Sequence, residues 1–381
     1  MKILHLMLGC FYIDNYSYQE NYLPKYHKML GNEVEIVASL VSFDENGKST
    51  VMPKADKYTN EYGIPVTRLD YKKGKLAKKL RYYIGLRDEL VRIAPDVIFI
   101  HGVQFMDIKI VSQYCKEHRN VKVYADNHSD FSNSAKNWVS KYILHRVFWR
   151  SCAQKINPYV VKFYGVLPAR VNFLADVYGI PKDKIELLVM GADDEMVEKA
   201  IMPCVQNDKR REYGIGDSDI VIVTGGKIDK NKPEVLLLMD AVKKLERDNI
   251  KLLVFGSVIP DYQEEFNSKL SDQVVYLGWK KPDEIYYEFA VADIVAFPGL
   301  HSVLWEQAVG MKKPCIFRKI KGFSHVDLGG NCCYFEEDTV DSYSETLKKA
   351  IDNIEQMNKF ASKKESEIFS YKKIAERSIE V

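Results

Sequence analysis

The stretch Val291–Phe317, VADIVAFPGLHSVLWEQAVGMKKPCIF, restricts the fold more than any other part of the chain. Ile294–Phe297 is an apolar run of strand length. Pro298-Gly299 ends it, because proline has no N–H for a ladder and glycine suits a turn. Ser302 stands at an N-cap position, and Val303, Leu304, Ala308 and Val309 form one apolar face of a helix. Gly310 closes that helix, and Pro314 precedes a second strand, Cys315–Phe317. This order predicts a unit of a parallel α/β sheet. Its loop and helix N-terminus open beyond the strand's carboxyl end, where unpaired N–H groups and the helix dipole favour an anion. Glu306, one turn into the helix, is placed to meet ligand hydroxyls beside that anion. The same pattern also serves as an ordinary α/β turn, so the rest of the chain decides between the two.

A chain of 381 residues is long for one core, which predicts two domains. No run of about 18 apolar residues exists to span a bilayer, and MKILHLMLGC reaches its polar turn too soon for a secretory signal. The seven scattered cysteines show no CxxC pair and no metal-ligand spacing, which suits reduced thiols in a cytoplasm. A net charge of +2 argues against a general nucleic-acid binder.

Lys2–Leu8 reads as a first buried strand, followed by Gly9, an aromatic loop, a helix over Gln19–Leu30 bent or delayed by Pro24, and a strand at Glu33–Ala38. There is no GxGxxG, which disfavours a nicotinamide-binding domain. Further strands are expected at Val66–Arg68, Val97–Ile100, Val121–Ala125, Gln154–Ile156 and Ile185–Val189. His101 and His128 both fall just past strands and so face one crevice, as ligand groups or as loop histidines bonded to backbone. Glu198–Asp219 is charged and aperiodic and reads as a linker. A second α/β series follows, with strands at Ile220–Thr224, Leu252–Phe255, Val274–Leu277, Ile294–Phe297, Cys315–Phe317 and Cys333–Phe335. After the first of these the loop GGKIDKNKPE offers Gly226, Lys227 and Lys232 to a diphosphate, or simply a solvated lysine loop. The closing segment from Glu355 is charged and helical without a core of its own.

These motifs resemble family 4 retaining glycosyltransferases, whose fold is GT-B: α/β, with two doubly wound Rossmann-like domains facing a central crevice. The resemblance rests on Gly226-Lys227-Ile228 with Lys232-Pro233, on Val189-Met190-Gly191-Ala192-Asp193, and on the loops around Gly256 and Gly278-Trp279. It rests also on Glu306-Gln307-Ala308 with Gly310 and Pro314, and on the terminal Phe369-Ser370-Tyr371 helix. Lysine stands at 227 where the family usually has arginine. The resemblance implies an N-terminal acceptor-side domain over 1–200, a nucleotide-sugar-binding domain over 201–365, and a final helix, about 366–381, packed back on the first. The donor would be held by Gly9, Gly226, Gly256, Trp279 (or Trp279 merely packs), His301, Ser302, Val303 and Glu306. Lys227, Lys232 and His128 would serve catalysis, and Tyr18, Gln19, Glu20, Asn21 and His101 the acceptor.

The chain departs from the family in two places. The family's first glutamate lies eight residues before the second, and here that position is Pro298, in a loop about four residues short. His301 is the candidate replacement. The N-terminal glycine pair is replaced by Tyr18-Gln19-Glu20-Asn21. The implied reaction moves a sugar from a nucleotide-sugar donor to a saccharide or lipid-linked acceptor in bacterial polysaccharide assembly. It needs no cofactor and no metal, because cations and a helix end neutralise the leaving diphosphate. A dead copy that only binds nucleotide sugar and a GT-B epimerase are the competing classes. The basic run Lys72–Arg81, with Leu76, Leu80 and Ile84 on one side, reads as an amphipathic helix for anionic lipid at the inner membrane face, or as a solvated face. Lys141–Arg150 is a second cationic-aromatic stretch.

Overall fold

The computed structural model describes residues 1–43, 49–229 and 233–380. The chain divides into two compact units, Met1–Val189 with Lys372–Val381, and Met190–Tyr371. Each is a parallel sheet covered by helices.

In the first unit eight strands lie in the order Ile185–Leu187, Val160–Gly165, Lys122–Asn127, Val97–His101, Lys2–Met7, Glu33–Ala38, Pro65–Arg68 and Asp56–Thr59. Only the last pairs antiparallel. Central strands such as Val97–His101 are buried along their whole length, the pattern of a parallel sheet with helices on both faces. Leu4, Leu6, Ile98, Ile100, Val123 and Phe163 are in its core. Strand order reverses between Lys2–Met7 and Val97–His101, and the loops leaving these two strands touch there. A Cβ on Gly9 would stand 2.0 Å from the Gly102 carbonyl oxygen, so Gly9 is required by backbone packing.

The expected strand at Gln154–Ile156 is the end of a helix, Arg150–Ile156, and the strand is Val160–Gly165. Asn157-Pro158 separates the two, and a short apolar run does not by itself distinguish helix from strand. The basic run forms a helix only over Lys75–Lys79, without a buried residue. An antiparallel strand pair, Val41–Phe43 with Ser49–Val51, falls outside the expected strands.

The second unit has six parallel strands. Numbered in chain order from Ile220–Ile228 they lie 3-2-1-4-5-6, the order of a dinucleotide-type fold. Ile222, Leu252, Val254, Ile294, Ala296 and Ile316 form its centre. The supposed linker is not one: Asp194–Ala200 and Pro203–Glu212 are helices inside this unit, and Asp193 caps the first by accepting from the Glu195 N–H. Polar composition misled there because these are surface helices. No helix among the described residues is long and apolar enough to cross a membrane.

Candidate functional site

In the second unit the site grows from the switch between its first strand, Ile220–Ile228, and its fourth, Ile294–Phe297. The latter leads through 298–303 into the helix Leu304–Gly310, whose first turn carries Glu306. Glu306 is fully buried. An unpaired carboxylate there would be prohibitive. Instead Oε1 takes two imidazoles, His301 Nε2 at 2.8 Å and His325 Nε2 at 2.7 Å. Burial pushes the Glu306 acid constant up, but the two histidines outweigh it and hold the carboxyl down at about 2. Its second oxygen, Oε2, finds no hydrogen-bond partner among the described residues, although it is buried. An oriented, ionised acceptor is thus left for a ligand hydroxyl.

Trp305 fixes one wall, stacked on Phe317 at 4.4 Å and edge-on to His301 at 5.2 Å. Phe323 lies 4.9 Å from His301. His301 was expected to replace the family's first glutamate; its Nε2 is occupied by Glu306, which leaves Nδ1 for a ligand. Ser302 is not the N-cap. Val303 holds that position, and no side chain caps the helix. The helix has only seven residues, so the anion site expected at its N-terminus is weaker than the sequence suggested.

Gly226 and Lys227 lie on the strand and not in a loop, because Ile220–Ile228 pairs through to Val258. Gly226 (φ +115°) and Gly256 (φ +122°) are paired, and a Cβ on Gly256 would stand 1.8 Å from the Gly226 oxygen. These glycines are explained by the close approach of two backbones. Lys227 is largely exposed, its ammonium 3.8 Å from Asp229. Lys232 lies outside the described residues. Trp279 is 65% exposed, so it packs no core and its face is open to a ligand.

In the first unit His128 follows the strand Lys122–Asn127, its Nε2 3.4 Å from Asp126 Oδ2 and 3.9 Å from Glu20 Oε1. Burial pushes its acid constant down, but Glu20 and then Asp126 outweigh this and raise it above the ordinary histidine value. Tyr18 sits at the N-cap of the helix Gln19–Met29, and burial raises its phenol to about 12. The Gln19 amide, fully buried, has neither atom paired among the described residues. Asn21 donates to the Ile13 carbonyl at 2.8 Å and has Oδ1 unpaired among them.

His101 is fully buried, which places it behind Asp126 and not at an acceptor. Its Nδ1 lies 2.7 Å from Asp126 Oδ2. From there a file of rings runs inward: His101 Nε2 to His5 Nδ1 at 2.9 Å, and His5 Nε2 to His27 Nδ1 at 3.0 Å. His27 Nε2 ends it at the Ser378 hydroxyl, 2.9 Å away. Burial drives the acid constants of His5 and His27 down, that of His27 to about 4, so both rings are neutral at pH 7.

Sequence reasoning missed His5, His27 and His325. For His5 and His27 the only signal was a histidine on an otherwise apolar face. For His325 there was none.

The sequence suggested no metal site, yet the fold gathers two groups of metal-ligating type, His101–Asp126–His128 and His301–Glu306–His325. Ligand atoms held about 2.0–2.1 Å from one tetrahedral zinc stand roughly 3.3 Å apart. The 2.7 and 2.8 Å contacts on Glu306 are therefore those of N–H···O bonds, and the residues as arranged fit a hydrogen-bonded carboxylate better than a metal.

Comparison with known proteins bears on this geometry. Residues 219–353 match the family described as Glycosyl transferases group 1. An uncharacterized glycosyltransferase of Methanocaldococcus jannaschii is 23% identical over 159 residues, 40% of this chain and 41% of that protein. A glycosyltransferase of Rickettsia africae superposes with a TM-score of 0.64 at 15% identity, covering 99% of this chain and 96% of the other. The UDP-GlcNAc 2-epimerase of Neisseria meningitidis, solved bound to UDP-GlcNAc, does so with 0.65 at 13%, covering 100% and 99%. The fold is GT-B. The match to the group 1 family falls within its second unit.

Proposed function

We propose that this protein is a retaining glycosyltransferase that moves a sugar from a nucleotide-sugar donor to a saccharide or lipid-linked saccharide, in assembly of a bacterial surface polysaccharide. The observation that carries the reading is the free Oε2 of Glu306, ionised and oriented by two histidines at a sheet switch point. A vicinal diol such as that of ribose would donate to it. Lys227 would stabilise the charge that grows on the diphosphate. The bond from the anomeric carbon to the phosphate oxygen breaks, the acceptor oxygen bonds that carbon on the same face, and the acceptor proton passes to the leaving phosphate. His128 would donate to a sugar hydroxyl. Hydrogen bonds and cations perform every role, which is why the reaction is proposed without a metal.

A second reading has one observation in its favour. Two buried carboxylates, Glu20 and Asp126, flank His128, a constellation suited to moving a proton on a sugar ring, as an epimerase must. The products separate the readings. With nucleotide sugar and acceptor, free nucleoside diphosphate supports transfer and an isomeric nucleotide sugar supports epimerisation. Neither product, with binding abolished in Glu306→Ala, leaves a protein that only binds.

A further inference from the structure

The apolar surface of the first unit is concentrated in one place. Among the described residues of that unit, six of the fourteen exposed large hydrophobic residues lie between Phe131 and Val147: Phe131, Trp138, Val139, Tyr142, Ile143 and Val147. Most belong to the helix Val139–Trp149. Its other side is fixed to the unit. His145 bonds Ser134 Oγ and the Tyr178 hydroxyl, each at 2.9 Å, and Trp149 is buried. Trp138 is 66% exposed and pairs with Tyr142, itself exposed, at 5.9 Å. Scattered exposed apolar residues need no explanation, but a contiguous aromatic and aliphatic face on a firmly held helix does.

Charge states what covers it. From Phe131 to Ala175 the chain carries seven Lys and Arg residues and no acid, where its overall composition would place about six acids. A second acid-free run, Tyr71–Arg87, has seven more cations, and it adjoins the first because the Arg81 guanidinium stands 5.6 Å from the Trp149 ring. Lys141 and Arg146 lie over the Tyr142 ring at 5.3 and 5.7 Å, cations at the rim of the apolar face. A second copy docked here would set cations against cations, which disfavours self-association. Aromatic side chains between basic residues are instead the composition of an element lying in a membrane interface, and their natural counterpart is acidic headgroups.

We propose that the helix Val139–Trp149 docks this protein on an anionic lipid bilayer, with Trp138, Val139, Tyr142, Ile143 and Val147 entering the headgroup region and the two basic runs lying along the surface. The lysine run alone is a poor anchor, since its helix spans only Lys75–Lys79. Docking is independent of the donor chemistry and is read without any substrate.

The test is flotation of the full chain with vesicles of phosphatidylcholine alone and of phosphatidylcholine with phosphatidylglycerol. Wild-type protein should float with the anionic vesicles, weakly with the neutral ones, and less as salt rises. The triple variant Trp138→Ser, Tyr142→Ser, Ile143→Ser, all at exposed sites, should lose about tenfold or more of that partition. Tryptophan emission should shift to the blue on anionic vesicles, and Trp138→Phe, which keeps an apolar ring, should abolish the shift while floating normally. Failure of the wild type to float, unaltered flotation of the triple variant, or a dimer in solution that the triple variant dissolves would each overturn the proposal.

Discussion

His325 Nε2 lies 2.7 Å from Glu306 Oε1, across nineteen residues of sequence, and shares that oxygen with His301. The pairing turns a buried glutamate from a liability into a fixed acceptor, because the remaining oxygen is held in one orientation and stays ionised.

Removing His325 tests this directly. His325→Ala should weaken binding of a nucleoside diphosphate by about 1–2 kcal/mol, roughly 5- to 30-fold, since one of two donors to a charged group is lost. His325→Gln, whose amide also donates, should recover part of that affinity. Titration calorimetry measures both. Equal affinity in wild type and His325→Ala would reduce His325 to packing.

Glu306 also sets an acid limit. Its acid constant is depressed from 4.5 in the unfolded chain to about 2 when folded, so between those values the unfolded state binds more protons. Its contribution, about 3 kcal/mol, is present above pH 4.5 and fades as pH falls to 2. Glu306→Gln should flatten that part of the unfolding profile for the second unit. A parallel slope in wild type and variant would contradict the assignment.

The histidine file acts at milder pH. His27 is depressed from 6.5 to about 4, so its buried neutral form contributes stability above pH 6.5 that is lost on the way to pH 4, again about 3 kcal/mol. His5 shifts the same way. Urea midpoints measured from pH 7 to 4 should fall steeply for wild type. For His27→Gln they should fall with a slope smaller by close to one proton.

The two facing glycines should respond differently to alanine. At Gly256 a methyl group meets the Gly226 oxygen at 1.8 Å in a left-handed backbone, and a loss of about 3 kcal/mol or more is expected. At Gly226 nothing lies within 4 Å, so only the conformational cost remains, about 1–2 kcal/mol. Thermal melts of the two variants rank them. The reverse order would mean that the strands do not approach as described.

Much of the sheet was legible. Glu33–Ala38 and Ile294–Phe297 fall where the apolar runs place them, because a strand buried on both faces has to be apolar throughout. The failures have physical causes. The helix Arg150–Ile156 ends in a segment whose apolar spacing fits a strand equally well. The helices Asp194–Ala200 and Pro203–Glu212 look like a linker because their outer faces are charged. Lys227 and Gly226 were assigned to a loop, although their strand continues to Ile228, with Gly226 paired to Gly256 of the neighbouring strand.

By itself the sequence determined the alternation of strands and helices, the punctuation after Phe297, and the position of Glu306 near the start of a helix. These are local properties, set by side-chain period and by the backbone limits of proline and glycine. Only the tertiary structure decided what Glu306 is bonded to, that Asp126 is held between His101 and His128, and that His101, His5 and His27 form one file. Those contacts join residues from separate strands, helices and loops. A polar group's partner inside a protein is chosen by which elements the sheet order makes neighbours, and that order is written in no single stretch of the chain.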